Sequence, residues 1–131
     1  MPTFHLQIVT PDGGFYDGDA EKLIVRALGG DVCILPRHAP FVTALGAGEA
    51  TVVIQGQQRI AACAGGMLAV TQEDVRLVAT TFEWAEDIDK SRAQRAKEEA
   101  ERRIQNAKDS HELEMAKAKL SRALARIKAA G

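Results

Sequence analysis

The sequence is poor in the residues on which metal binding and covalent catalysis usually depend. It has two cysteines and three histidines, with no Cys-x-x-Cys or comparable metal-ligand motif, so a zinc or thiol-redox site has almost no support. It also lacks a phosphate-binding Gly-x-x-x-x-Gly-Lys motif and a serine in a nucleophile elbow. These absences predict a protein that is not an enzyme and that requires no metal or cofactor.

Long hydrophobic runs are missing as well. The longest apolar stretches span a few residues, whereas a membrane-spanning helix needs ~20. No charged-then-apolar leader opens the sequence, which argues against secretion. The net charge is −1, so no strong overall field attracts nucleic acid or a membrane surface. We therefore expect membrane association only through a partner protein.

The two cysteines both lie between apolar residues. Cys33 stands in Asp-Val-Cys-Ile-Leu, and Cys63 stands in Ala-Ala-Cys-Ala. Cysteines in such surroundings are usually the buried, reduced thiols of cytosolic proteins, and we expect that state here. The sequence alone leaves a disulfide between them open.

Proline and glycine are almost absent from the last third of the chain. All four prolines and ten of the 11 glycines precede residue 67. Charge changes near the same place: residues 1–83 carry 5 Lys+Arg and 9 Asp+Glu (net −4), whereas residues 84–131 carry 12 and 9 (net +3). We therefore predict two domains, residues 1–84 and residues 85–131.

The first domain has the pattern of β-structure. Residues 4–8 alternate between apolar and more polar positions, as in a half-buried strand, and residues 11–14 (Pro-Asp-Gly-Gly) are typical of a turn. Gly56, Gly65-Gly66 and residues 72–74 separate further candidate strands. These are Leu23–Ala27, Val32–Leu35, Thr51–Gln55, Arg59–Cys63, Met67–Val70 and Val75–Ala79. Many short strands predict an antiparallel β-sandwich or flattened barrel.

The second domain has the pattern of two amphipathic helices. A stripe of mostly apolar side chains recurs every three or four residues, first at Ile88, Arg92/Ala93, Ala96, Ala100, Ile104 and Ala107 and then at Leu113, Ala116, Leu120, Leu124 and Ile127. Between the two series, Asp109 can cap the second helix with Glu112 as its reciprocal partner. The predicted fold class is thus α+β: an N-terminal antiparallel β-sandwich followed by a C-terminal antiparallel two-helix hairpin. Its alanine-rich seam buries little area and closes only weakly.

The end of the chain is basic. The last 15 residues hold no acid and five cations, which are Lys117, Lys119, Arg122, Arg126 and Lys128. Cations of this kind stabilise the C-terminus of a helix through its dipole, and they can also dock on an acidic partner. Nucleic acid is a poor candidate for that partner, because the helix carries no aromatic residue on which bases could stack.

Two charged pairs share helix faces. Asp89 and Arg92 are three residues apart, and Arg122 and Arg126 are four residues apart. In a folded antiparallel hairpin the pairs can converge, and several guanidiniums beside a carboxylate suit a nucleotide polyphosphate. The same spacing fits solvated helix faces with ordinary salt bridges, so both interpretations remain open.

Four short segments of the chain have a recognisable order and spacing. They are Val9-Thr10-Pro11-Asp12-Gly13, Ile34-Leu35-Pro36-Arg37-His38-Ala39-Pro40, Gly65-Gly66 with Leu68-Ala69-Val70, and Ala85-Glu86-Asp87-Ile88-Asp89. Together they resemble the epsilon subunit of bacterial F-type ATP synthases over nearly the whole chain. Arg37 and Cys33 stand where that family commonly has glycine.

The resemblance implies a non-catalytic subunit of the central rotor of a proton- or sodium-driven ATP synthase. The β-sandwich is then expected to bind the gamma subunit and the membrane c-ring. The loop that carries His38, together with the acidic Asp31, is implied as part of this rotor interface. The complex would hold the subunit peripherally at the cytoplasmic face of the cell membrane.

The resemblance also implies that the hairpin is a regulatory switch. Folded against the sandwich, it permits ATP hydrolysis. Extended along gamma, it enters the catalytic head and blocks hydrolysis, with the basic residues from Lys117 to Lys128 facing the beta (and alpha) subunits. A weakly closed seam and an acid-free basic helix suit such a switch physically.

Some members of the family bind ATP in the folded hairpin, through an Ile/Leu-Asp-x-x-Arg-Ala motif on the first helix and arginines on the second. The matching residues here are Ile88, Asp89, Arg92, Ala93, Arg122 and Arg126. Glu99 stands where strong binders carry arginine, and a carboxylate near phosphates is repulsive. It can instead pair along the helix with Arg95 or Arg103. The resemblance therefore implies ATP as a regulatory ligand that this chain binds weakly.

Two other functions stay open at this stage. In the first, the subunit couples rotation and inhibits hydrolysis without sensing ATP, which Glu99 would explain. In the second, the chain is a free-standing adaptor whose basic helix binds nucleic acid. A steep salt dependence of DNA binding would favour the adaptor.

Overall fold

The computed structural model describes residues 2–131, which form eight strands, one short 3₁₀ turn and two helices. The strands are β1 (Phe4–Thr10), β2 (Gly13–Ala20), β3 (Lys22–Ala27), β4 (Gly30–Ile34), β5 (Phe41–Ala44), β6 (Ala47–Ile54), β7 (Gln57–Val70) and β8 (Asp74–Trp84). The turn, Ala85–Asp87, leads into α1 (Lys90–Gln105) and α2 (Ser110–Ala130). Within residues 2–131, neither helix combines the length and apolarity needed to cross a membrane.

The strands form two layers that share the long strands β7 and β8. The first layer has the order β2-β1-β8-β7-β5, in which β1 is parallel to β8 and the other neighbours are antiparallel. The second layer has the order β8-β7-β6-β3-β4 and is antiparallel throughout. The predicted β-sandwich followed by a two-helix hairpin is therefore confirmed.

Alternating apolar side chains from both layers fill the space between them. Phe4, Leu6 and Ile8 of β1 are buried, as the alternation in the sequence predicts. They belong to one core with residues of every other strand except β5, whose Phe41 packs against it from the side. Burying a side chain of this size contributes about 1.5–3 kcal/mol, so the sandwich supplies most of the apolar stabilisation of the chain.

Two glycines allow β7 to pass from one layer to the other. Gly65 and Gly66 have positive φ values of +71° and +110°, and β7 pairs with β6 as far as Ala64 and with β5 from Met67 onward. A Cβ on Gly66 would lie 1.8 Å from the carbonyl oxygen of Val78. The predicted strand break at these glycines is wrong, because their conformational freedom bends one continuous strand instead of ending it.

Two strands are absent from the sequence prediction. β2 contains three glycines and two aspartates and lies at one edge of the sheet, where most of its side chains are exposed. It therefore lacks the apolar alternation by which strands are recognised. β5 has only four residues and follows a proline-containing loop, so its pattern is too short to distinguish from that loop.

The two cysteines lie in different environments. Cys63 is buried in the core, and this burial raises the pKa of its thiol to about 12. The prediction that Cys33 is buried is wrong: it is exposed, because it lies on the outward-facing side of the edge strand β4. Both thiols are free.

Side chains cap the start of each helix. Asp89 Oδ1 accepts a hydrogen bond from the backbone N–H of Arg92 at 3.1 Å. Asp109 Oδ1 accepts one from the N–H of Glu112 at 2.8 Å, which confirms the predicted cap of α2. The reciprocal bond differs by one residue, since Glu112 accepts from the N–H of Lys108 at 2.9 Å.

The hairpin is folded against the outer face of the second layer. Ala125 and Ala129 of α2 are buried against Ala62 of β7, with Ile60 and Ile88 beside them. Four further alanines are buried in the hairpin, which are Ala93, Ala100, Ala116 and Ala123. Leu124 was predicted in the apolar stripe but is 45% exposed, because Ala123 and Ala125 take the buried positions of this turn. Small side chains thus make the contacts of α2 with the sandwich and with α1, and they bury little apolar area.

Candidate functional site

A cavity lies where the end of β8, the 3₁₀ turn, α1 and α2 meet. We call it the hinge cavity; its volume is about 290 Å³. Its lining residues are Glu83, Asp87, Ile88, Asp89, Arg92, Ala93, Ala96 and Arg126. Five of the six residues predicted to bind ATP therefore line one cavity, and Arg122 is the exception.

A second cavity adjoins the first between the two helices. This basic cavity has a volume of about 180 Å³ and is lined by Ala96, Glu99, Ala100, Arg103, Lys119, Arg122 and Arg126. It contains Arg122 and shares Ala96 and Arg126 with the hinge cavity. Four cations face one carboxylate, so its lining carries a net positive charge that suits an anion.

Arg126 is held at the junction of the two cavities by an ion pair with the sandwich. Its Nε donates to Glu83 Oε1 at 3.1 Å, and the two side chains are 31% and 39% exposed. Glu83 was not predicted as a site residue, although its position in the alternation of β8 indicates which face of the sheet it lies on. Strand alternation puts it on the outer face of the layer, which α2 covers.

Glu99 is engaged along its own helix. Its Oε1 accepts from Arg103 Nη2 at 2.6 Å, which confirms one of the two predicted partners. The pair neutralises part of the basic cavity. Within residues 2–131, neither Lys119 nor Arg122 takes part in an ion pair, so these two cations remain available to a ligand.

The N-terminus of α1 has its own fixed geometry. The carboxylate of Asp89 caps the helix, so it can accept from a ligand only with its remaining lone pairs. Lys90 Nζ donates to the carbonyl oxygen of Gly131 at 2.9 Å, which ties the start of α1 to the end of α2. The hairpin is thus closed at its hinge end by a direct contact between the two helices.

Arg59 of β7 anchors the segment that precedes α1. Its guanidinium lies 3.9 Å above the ring of Trp84 and donates through Nη2 to Glu86 Oε1. This hydrogen bond holds the pKa of the Glu86 carboxyl below its usual value. The contacts of Arg59 therefore tie the end of β8 and the 3₁₀ turn to the sandwich.

The two residues predicted at the rotor interface have different neighbours. Asp31 pairs with Arg26 at 3.0 Å and lines a groove of about 450 Å³ beside α2. The His38 ring packs edge-on against Phe4, with ring centroids 5.8 Å apart, and its buried Nδ1 has no hydrogen-bond partner among the residues that the structure describes. Arg37 has a φ of +65°, a left-handed conformation that glycine adopts more easily.

The five basic residues of α2 do not form one exposed surface in the folded hairpin. Arg122 and Arg126 are partly buried, and together with Lys119 they line the basic cavity. Lys128 lines the groove beside Asp31, whereas Lys117 is exposed. A partner could meet all five together only if α2 left its position.

The outer face of the first layer carries an uncovered apolar row. Val9, Val78, Met67 and Ala44 are consecutive partners across β1, β8, β7 and β5. Met67 and Val78 are 51% and 45% exposed, and Val42 on the same face is 62% exposed. A contiguous apolar patch of this kind marks an interaction surface more often than an isolated exposed side chain does.

Comparison with known proteins identifies the family. Residues 3–85 match the family described as "ATP synthase, Delta/Epsilon chain, beta-sandwich domain", and residues 86–131 match the corresponding long alpha-helix domain. The chain is 43% identical to the ATP synthase epsilon chain of Bacillus velezensis over 131 residues (100% of this chain, 99% of the relative). It is 40% identical to that of Caldanaerobacter subterraneus over 129 residues (98% and 94%). A chain of the Euglena gracilis mitochondrial ATP synthase has the same fold, with a TM-score of 0.84 at 20% identity, over 99% of this chain and 82% of that one. The chain therefore belongs to the ATP synthase epsilon chain family.

Proposed function

We propose that this chain is a non-catalytic subunit of the central rotor of a proton- or sodium-driven F-type ATP synthase. In this role it couples rotation to catalysis and restrains ATP hydrolysis through its hairpin. The observation that carries the proposal is the match to epsilon chains over the whole length of the protein, sandwich and helices together. The complex holds the chain peripherally at the cytoplasmic face of the membrane.

The proposed division of labour follows the domain boundary between residues 84 and 85. Strand β8 ends at Trp84, and the two matched family regions meet one residue later. Residues 1–84 act as the rotor-binding unit and residues 85–131 as the regulatory unit. The anchoring of Trp84 and Glu86 by Arg59 supports a hinge immediately after this boundary.

The sandwich binds the gamma subunit and the c-ring. The uncovered apolar row on the first layer supports a gamma contact, because it offers apolar area that no element within residues 2–131 covers. Asp31 and His38 are proposed at the rotor interface. The buried, unpartnered Nδ1 of His38 supports a contact there, since a partner could supply the missing hydrogen bond.

The hairpin inhibits hydrolysis when it extends into the catalytic head. Its undocking releases the alanine contacts on Ala62. Acidic segments of the beta (and alpha) subunits can then contact all five cations together, which are Lys117, Lys119, Arg122, Arg126 and Lys128. The folded state holds three of these cations around an interhelical cavity. This arrangement favours a small anion as ligand and argues against nucleic acid.

ATP is the ligand that suits the folded hairpin. The apolar side chains of Ile88, Ala93 and Ala96 in the hinge cavity can contact an adenine, and the Glu83 carboxylate can accept from its amino group. The cations of the adjoining basic cavity then face the phosphates. A ligand bound only to the folded hairpin stabilises it by about 2.7 kcal/mol at a hundredfold excess over Kd.

Calorimetric titration with ATP tests the regulatory site. The test variant is Glu83→Gln/Arg126→Gln, which removes one phosphate contact without leaving a charge unpaired. The amide introduced at position 83 keeps an oxygen that can accept from the adenine amino group. We expect its Kd to rise at least about tenfold, because a hydrogen bond to a charged group contributes about 1.5–3 kcal/mol. Arg102→Gln, on the exposed face of α1, is the matched control and should bind as the unaltered chain does. A second variant, Asp89→Asn, removes the charge of this predicted ligand residue, while asparagine preserves the helix cap.

A coupling and inhibitory subunit that does not sense ATP is the second candidate. Glu99 favours it, because this carboxylate lines the cavity that the phosphates would occupy. Absence of binding at millimolar ATP would favour this candidate over the ATP-sensing one. Copurification of the chain with gamma would support a rotor subunit, whether or not it senses ATP, and would argue against a free-standing nucleic-acid adaptor.

A further inference from the structure

We propose that Lys119 binds the terminal phosphate of the nucleotide and makes the hairpin sensitive to the length of the phosphate chain. The inference rests on the proposed ATP site and assigns a role in the folded state to a lysine otherwise expected only at the extended interface. It follows from the order of three cavities along the hairpin.

The three cavities form a continuous series from the hinge to the tip. The hinge cavity and the basic cavity share Arg126. The basic cavity shares Arg103 and Lys119 with a third cavity of about 330 Å³, near the connection between the helices. A chain of phosphates that leaves the hinge cavity therefore passes Arg126 before it reaches Lys119.

The cations of α2 follow the same direction at helical spacing. Lys119, Arg122 and Arg126 are separated by three and four residues, so they share one face of the helix. Seven residues at the helical rise correspond to about 10 Å along the axis. An extended triphosphate is shorter than this span, but long arginine and lysine side chains can reach toward it from both ends. Each added phosphate therefore brings negative charge closer to Lys119.

At the end of the basic cavity away from the hinge, Lys119 is the cation without an ion pair among residues 2–131. Arg103, its neighbour across the seam, is already paired with Glu99. Lysine is a compact charge on a flexible stem, so it can contact a terminal phosphate without the fixed bidentate geometry of an arginine. A diphosphate would end nearer Arg122 and gain less from this contact.

The test compares ATP with ADP on two variants of the full chain. Lys119→Gln removes the proposed contact, and Lys117→Gln is its control, since Lys117 is exposed on the same helix and lines none of the three cavities. Calorimetry should show the ATP Kd of Lys119→Gln raised about tenfold, with the ADP Kd changed less than about twofold. Lys117→Gln should leave both constants unchanged. Glu99→Gln, which removes the carboxylate, should tighten ATP more than ADP.

The outcomes separate this inference from the proposed function. An unchanged ratio of ATP to ADP affinity in Lys119→Gln would overturn the assignment of Lys119 while leaving the ATP site in place. Absence of ATP binding by the unaltered chain would overturn the ATP site and this inference together. An unchanged thermal unfolding midpoint in each variant shows that a loss of affinity is not a loss of fold.

Discussion

At the scale of single residues, His5 connects three strands on the exposed face of the first layer. Its Nδ1 donates to Asp74 of β8 at 2.8 Å, and its Nε2 donates to Asp17 of β2. Asp19 is its cross-strand partner. Both hydrogen bonds require the doubly protonated ring, so the two carboxylates raise the pKa of His5 above its ordinary value of 6.5.

The raised pKa predicts a pH-dependent contribution to folding. A group with a higher pKa in the folded state stabilises fully below its unfolded value, and this contribution is lost as pH rises through the folded value. We therefore expect His5→Gln to lower the free energy of unfolding at pH 5.5 and to have little effect at pH 9. The effect should stay below about 1 kcal/mol, because all three side chains are substantially exposed.

Urea unfolding across this pH range measures the effect. His111→Gln, at an exposed position near the start of α2, is the control for loss of a histidine charge. A difference between the unaltered chain and His5→Gln that grows with pH would contradict the prediction.

At the scale of elements, the bend in β7 depends on Gly66. In Gly66→Ala the new Cβ would meet the Val78 carbonyl oxygen at 1.8 Å, so the two strands must separate locally. We expect a loss of about 3 kcal/mol or more in the free energy of unfolding, measured by chemical denaturation. Gly13→Ala is the matched control, since its φ is +114° but nothing lies within 4 Å of the added carbon. Equal losses in the two variants would show that backbone strain, and not the close approach, governs this site.

The elements that the sequence predicts well are those with a strong local signal. The alternation in β1 and the Asp109 cap of α2 are visible without any partner, and the structure confirms both. β2 has no such signal, because an edge strand with glycines can be exposed on most of its length. The Gly65-Gly66 pair was wrongly predicted to end a strand, because glycines with this conformational freedom occur both in turns and at bends within a strand.

The part of the candidate site that could be predicted also depends on local sequence signals. The residues on α1 and α2 follow from helical spacing and the family motif, and two adjoining cavities contain all six. Glu83 lies 43 positions from its partner Arg126, so only the docking of α2 on the sandwich reveals the pair. Lys119 likewise acquires a place in the cavity only from the register of the two helices.

At the scale of the whole molecule, the sandwich presents two opposite outer faces, of which α2 covers one and the proposed gamma contact would cover the other. Ala62→Glu would place a carboxylate beneath α2, where Ala62 is 5% exposed. Burying an unpaired charge costs several kcal/mol, which exceeds what a few alanine contacts supply. We therefore expect α2 to undock while the sandwich stays folded. Hydrogen exchange should accelerate in residues 110–130 and remain slow in the core strands.

Ala69→Glu provides the control on the same strand. Ala69 lies on the outer face of the first layer, between Arg76 of β8 and Val42 of β5. This variant should leave hydrogen exchange of the hairpin unchanged and weaken the proposed contact with gamma, measured by copurification. Rapid exchange of the core strands in Ala62→Glu would show that the substitution unfolds the sandwich instead of releasing the helix.

The continuity of β7 through both layers limits how the length of this protein can vary. Ala62 lies on the face that α2 covers and Ala69 on the opposite outer face, and the pairing register of β7 with β8 is the same on both sides of the bend. Deleting one residue within the strand would turn each side chain that follows it to the opposite face of the sheet. In one layer, the buried side chains of β7 would then face solvent and the exposed ones would face the core. Insertions and deletions among relatives should therefore collect in the turns at residues 55–56 and 71–73, and the strand between them should keep a constant number of residues.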